Sequence, residues 1–188
     1  MTTTFHIKNM VCDRCKMIVS QSLQEIGVSP ISVELGVVTV DSKVSLDQEQ
    51  LRVVLERDGF ELIVDKNEVI VEKIKSNLID FVDPEIKHRD INVSTFLSEV
   101  MNRDYSVLSK LFSKMEDISI EKYIINLKIE KVKELIQMNV LSFSDIAYSM
   151  GYKSSSHLAR QFKTVTELSM SEYKGMRQPQ RKSLDQII

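Results

Sequence analysis

Only two cysteines occur in the 188 residues, and they stand three apart as Cys12-Asp13-Arg14-Cys15. A pair this close suits a metal or redox site better than a staple between distant segments. Placed where a strand turns into a helix, both sulfurs can face one point. The positive end of the following helix is expected to lower their pKa toward thiolate, the form that binds soft metals. With two sulfur ligands and no His nearby, a soft ion of low coordination fits: Cu(I) first, then Hg(II) or Cd(II). Zn(II) takes four ligands, so it would need two chains sharing the ion. A thiol/disulfide switch uses the same spacing, and so does a scaffold with no ligand. His6, His88 and His157 are isolated in sequence and read as non-ligands, and the nine Met residues fall mostly on apolar helix faces and read as core.

A second kind of chemistry is carried by charge. The chain is −2 as a whole, but residues 1–66 carry −3 and residues 67–188 carry +1. Between Tyr152 and Lys182, Lys153, Arg160, Lys163, Lys174, Arg177, Arg181 and Lys182 face only Glu167 and Glu172, a local +5. Such clustering suits a phosphate-facing surface, and it is also what a plain solvated face looks like. At 43% hydrophobic and 28% charged, the composition is that of a globular protein of one or two small domains. There is no run of apolar residues long enough to span a membrane and no basic-then-apolar leader at Met1–His6, so a cytoplasmic protein without membrane contact is expected.

The elements that must position these residues come in two regimes. Residues 3–8 alternate as a strand with Phe5 and Ile7 on one face. A helical stripe of Ile18, Val19, Ser22, Leu23 and Ile26 follows, closed by Gly27. Ile31–Leu35 and Val37–Val40 read as a hairpin about Gly36, Asp47 caps a helix over 48–57 that buries Leu51, Val54 and Leu55, and Phe60–Val64 is a last strand. This β-α-β-β-α-β order is a split βαβ, or ferredoxin-like, arrangement.

After the polar break Asp65-Lys66-Asn67 everything reads as helix: 69–82 ending at Asp83-Pro84, 94–101, 106–115, 120–137, 144–150, 155–165 and 171–176, then a polar, frayed tail. Two short helices around a turn occur twice. Phe96-Leu97 and Val100-Met101 parallel Ile146-Ala147 and Met150, and Leu108, Leu111 and Phe112 parallel Leu158, Gln161 and Phe162. The second helix of such a pair can enter the roughly 12 Å wide major groove of DNA. The same spacing also serves a helical bundle with no ligand.

Residues Ser144 to Lys174 resemble the C-terminal signature of the AraC/XylS family of bacterial transcription regulators through Ile146-Ala147, Gly151-Tyr152, Ser156, Phe162-Lys163 and Ser171-Glu172-Tyr173. Leu97 to Leu135 resembles that family's first helix-turn-helix and linker helix, through Tyr105, Leu108, Leu111-Phe112 and Ile129 to Leu135. By position, the resemblance assigns Tyr105, Ser106, Ser109 and Lys110 to the first recognition helix. It assigns Ser155, Ser156, His157 and Arg160 to the second, with Lys114 and Lys163 on phosphates and Arg160 on a guanine. The family's Gly-x-Ser-Pro turn reads Glu167-Leu168-Ser169-Met170 here, which predicts a looser loop.

Phe5 to Val64 resembles the heavy-metal-associated domain of copper chaperones and metal-pump ATPases. Their Gly-Met-Thr-Cys-x-x-Cys loop reads Asn9-Met10-Val11-Cys12-Asp13-Arg14-Cys15 here, and Asp58-Gly59-Phe60 stands where that family has a Gly-aromatic loop. The resemblance implies Cys12 and Cys15 as metal ligands with Met10 and Phe60 supporting the loop.

The sequence therefore leads us to expect an α+β, ferredoxin-like domain over 1–66, an all-α domain with two helix-turn-helix units over 67–178, and a tail over 179–188. The expected function is a sequence-specific DNA-binding transcription regulator responsive to a soft metal ion. A redox-responsive regulator and a metal carrier or buffer with secondary DNA binding stand as alternatives. No nucleophile–base pair, phosphate loop or paired carboxylates are visible, so no enzymatic activity is expected. Double-stranded DNA is the expected partner, with a second copy of the chain and RNA polymerase as further candidates.

Overall fold

The computed structural model describes residues 1–43, 47–83 and 91–187. His88 and Pro84 lie outside the described residues. The chain divides into two compact units, Met1–Asn77 and Leu78–Ile188.

The first unit is a small α+β structure: β1 (Thr2–Lys8), α1 (Asp13–Glu25), β2 (Ser32–Glu34), β3 (Val37–Asp41), α2 (Gln48–Arg57), β4 (Glu61–Ile63) and the start of α3 (Lys66–Val82). Its sheet runs β2-β3-β1-β4 with every neighbouring pair antiparallel. Alternation along β3 sends Val38 and Val40 into a core with Ile7, Met10, Val19, Leu23, Leu51 and Leu55. Gly36 makes the hairpin at φ +74, and a Cβ there would meet the Ser76 hydroxyl at 3.2 Å, so both its backbone and its lack of a side chain are used. α2 starts at Asp47, whose carboxylate accepts the Glu49 N–H at 2.9 Å.

Several expectations need correction. The buried face of α1 is Val19, Ser22 and Leu23, while Ile18 is 40% exposed. Ser22 belongs inside because its hydroxyl donates to Asp58 at 2.6 Å and to the Ile18 carbonyl at 2.9 Å. Val54 is half-buried rather than buried. α3 begins three residues earlier than its apolar period, because the Asp65 carboxylate accepts the N–H groups of Asn67 and Glu68 at 2.8 and 3.1 Å and caps a polar first turn.

The second unit is helical among its described residues: α4 (Val93–Met101), α5 (Tyr105–Glu116), α6 (Ile120–Met138), α7 (Phe143–Ser149), α8 (Ser155–Thr166) and α9 (Met170–Gly175). Its helix starts are set by short polar side chains. Asn92, Ser119, Ser142, Ser154 and Ser169 each accept a first-turn N–H. α6 is the central element, burying Tyr123, Ile124, Leu127, Ile129, Val132 and Ile136, with Leu135 half-buried. Ile129, Val132 and Ile136 share a core with Ile146, Ala147, Leu158, Phe162, Met170 and Tyr173 of the second helix-turn-helix.

The expected loose turn at Glu167–Met170 is instead well held. Glu167 takes the left-handed conformation that glycine would favour (φ 64). Ser169 and Glu172 form a reciprocal capping box, and the Leu168 N–H donates to the Thr166 hydroxyl at 3.2 Å. The expected fraying of the tail is also corrected. The carbonyls of Pro179 and Gln180 accept from Gln137 and the Tyr173 hydroxyl, Arg181 pairs with Glu134 at 3.4 Å, and the Lys182 N–H donates to Glu130 at 3.1 Å. A 3₁₀ turn at Leu184–Gln186 then delivers Ile187 to a site where it is 2% exposed.

Candidate nucleic-acid interface and thiol pair

α5 and α8 are built alike. Each buries a Leu and, four residues on, a Phe: Leu108 and Phe112 in α5, Leu158 and Phe162 in α8, all at 0% exposure. At about 100° per residue this turns Ser106, Val107, Lys110 and Lys114 outward on α5, and these four are exposed. In the same register α8 presents Ser156, His157, Arg160, Lys163 and Thr164, also exposed. Ser109 and Ser155 are half-buried at the edges of these faces. None of the exposed residues on either helix is acidic.

Each face rests on α6 and its neighbours. Tyr105 opens α5, and its hydroxyl donates to the Glu121 carboxylate at 2.5 Å. Burial and the carboxylate push the phenol well above its ordinary pKa, and the bond holds Glu121 below the usual carboxylate range. In the second helix-turn-helix Tyr152 donates to Gln161 at 2.5 Å, burial raises its pKa to about 12, and the His157 ring stands edge-on to it at 5.4 Å. Lys128 of α6 donates to the Met150 carbonyl at 3.1 Å, where the negative end of α7 favours a cation, although burial depresses its pKa. Glu130, 5% exposed, accepts from Lys133 at 2.6 Å. Lys128, Glu130 and Glu121 were missed by sequence reasoning, since Met150, the Lys182 N–H and Tyr105, which they meet, lie 16 or more residues away and a Lys or Glu on a helix reads as a surface residue. The local +5 is also not all outward: Arg181 is tied to Glu134 and Lys174 lies over the Phe143 ring.

In the first unit, Cys12 stands at the N-cap of α1, exposed, and Cys15 is half-buried in its first turn. Both are free thiols, with sulfurs 3.5 Å apart. Burial, the largest influence, raises the Cys15 pKa, a correction to the lowering expected from the helix end. Met10 is fully buried beneath the loop and Phe60 is 6% exposed in the same core. Asn9, where the resembling family has Gly, adopts φ 71, as Asn tolerates. Its amide N–H donates to Glu72 at 3.3 Å and its side chain to the Gly59 carbonyl at 3.1 Å. Among the described residues no group of three or more His, Cys, Asp or Glu could hold a metal ion. The donor set is therefore two sulfurs, which fits a soft ion of low coordination and does not fit tetrahedral zinc within one chain.

Comparison with known proteins agrees with this geometry. Residues 97–176 match a family model described as a helix-turn-helix domain. An uncharacterized HTH-type transcriptional regulator of Staphylococcus aureus is 29% identical over 112 residues, 59% of this chain and 15% of that protein. The chain thus spans about 15% of the length of the curated relative it matches. Among solved structures, the C-terminal domain of AraT, a response regulator from Geobacillus stearothermophilus, is similar in fold. The TM-score is 0.52 at 19% identity, covering 63% of this chain and 94% of that one. Both are described as regulators. No helix among the described residues is long and apolar enough to cross a membrane.

Proposed function

We propose that the chain is a sequence-specific DNA-binding transcription regulator of the AraC type, with α5 and α8 as its two reading helices. The reading is carried by one observation: two helices of identical register turn an exposed face without carboxylates outward, each from a helix-turn-helix. Ser106, Ser109 and Lys110 on α5 and Ser155, Ser156, His157 and Arg160 on α8 meet base edges, and Lys114 and Lys163 meet phosphates. Tyr105, with its hydroxyl on Glu121, positions the first turn of α5. Selection from a random duplex pool tests this: enrichment of one motif is expected, and a bound pool indistinguishable from the input would overturn it.

The strand order β2-β3-β1-β4 with antiparallel neighbours supports the ferredoxin-like reading of the first unit. We propose that its Cys12–Cys15 pair makes DNA binding conditional on a soft metal ion, Cu(I) first. Cys12 and Cys15 would hold such an ion as its two sulfur donors. The chain's own part is to hold both thiols at one point, through the capping position of Cys12 and the Asn9 bonds to Glu72 and Gly59. The 3.5 Å sulfur separation equally favours a thiol/disulfide switch. Separate titrations of Cu(I) and of an oxidant, with affinity for the selected duplex as readout, distinguish the two. If neither moves the affinity, the sensor reading fails while the DNA reading stands.

A further inference from the structure

The outward face of α5 includes one residue that neither the resemblance nor its charge singles out. Val107 is 54% exposed, in the first turn of the helix and beside Ser106. A single exposed valine is ordinary on a protein surface, so exposure alone says little. Register says more. With Leu108 aligned on Leu158 and Phe112 on Phe162, Ser106 falls on Ser156, Lys110 on Arg160 and Val107 on His157. Val107 thus occupies in α5 the place that the proposed base reader His157 occupies in α8. It lies on one line with Lys110 and Lys114, three and seven residues on, so a duplex touched by these lysines lies against Val107 as well.

An isopropyl group has no hydrogen bond to offer a base edge. In the major groove the apolar feature it can meet is the C5-methyl of thymine, which no other base carries. Resting on the DNA-reading proposal above, we infer that Val107 is a specificity-determining residue of α5 that packs on a thymine methyl. The first reading helix then discriminates by apolar contact as well as through Lys110, whereas the second relies on polar groups.

The test uses the full chain and the duplex motif it selects. Each thymine of the motif is replaced singly by uracil, which removes the methyl and leaves pairing intact, and affinity is measured for the native protein and for Val107→Ser. Burial of one methyl corresponds to about a fourfold change in affinity. The native protein is expected to lose about that factor at one thymine, and Val107→Ser, with an unchanged circular dichroism spectrum, to lose nothing there. If the native protein selects a motif but the two uracil scans coincide, Val107 reads no methyl and the DNA reading stands. If no motif is selected at all, both readings fall.

Discussion

Arg160 and Tyr105 mark two different ways in which a single side chain can serve a DNA-reading surface. Arg160 is exposed at the centre of the outward face of α8, where a guanidinium can grip a guanine edge with two bonds. Arg160→Ala is expected to weaken binding by about 1–3 kcal/mol and to relax the preference at one base pair, measured by anisotropy on singly substituted duplexes. An unchanged profile would remove it from the reading set. Tyr105 instead works inward through Glu121. Tyr105→Phe should cost about 1 kcal/mol of stability at neutral pH, as a lost hydrogen bond does, and weaken binding evenly across sequences. The pH dependence follows from Glu121. Its carboxyl sits below the usual range in the fold, so the stabilisation is present above the ordinary carboxylate pKa and fades as pH falls through the lowered one. Urea midpoints of native and variant protein should therefore converge on acidification, and a constant gap would contradict this.

At the scale of elements, the turn into α9 and the tail along α6 carry the clearest consequences. Glu167 is an L-residue held at φ 64, so Glu167→Gly should stabilise the fold by about 0.5–1 kcal/mol, seen as a higher urea midpoint. A lower midpoint would mean that the Glu side chain itself contributes. Deleting residues 178–188 exposes the site of Ile187 and frees Glu130 and Glu134, and is expected to lower stability by about 1–2 kcal/mol. An unchanged midpoint would show that the tail does not hold α6. These two regions also show where sequence reasoning stops. The α2 span 48–57 was legible because its cap, Asp47, and its period, Leu51 and Leu55, are local. The paired Leu–Phe register of α5 and α8 was legible for the same reason. The tail was not, because its order comes from Glu130, Glu134 and Gln137, more than 40 residues earlier in sequence. The turn at Glu167 was misread because the absent Gly and Pro are only one way to make it, and Ser169 with Glu172 is another. The thiol pair was legible as a spacing, but the pKa of Cys15 depends on burial that no spacing reports.

For the whole molecule, the central claim is that one chain carries two DNA readers in fixed relation. α6 joins the two helix-turn-helix units and has 19 residues, a length of about 28 Å at 1.5 Å per residue. The major groove returns to the same face of a duplex about every 34 Å, so readers linked by such a helix suit successive turns of one face. The same full chain, with Cys12 and Cys15 both changed to Ser, should bind its motif but lose any response to Cu(I) or oxidant. A response that survives would move the sensor away from these thiols. The most direct measurement is a hydroxyl-radical footprint of the native protein on its selected duplex. Two protected blocks on one face, about one helical turn apart, are predicted, with the block nearer the Arg160-dependent base pair lost first in Arg160→Ala. A single block, or protection without a preferred face, would contradict the account of two readers.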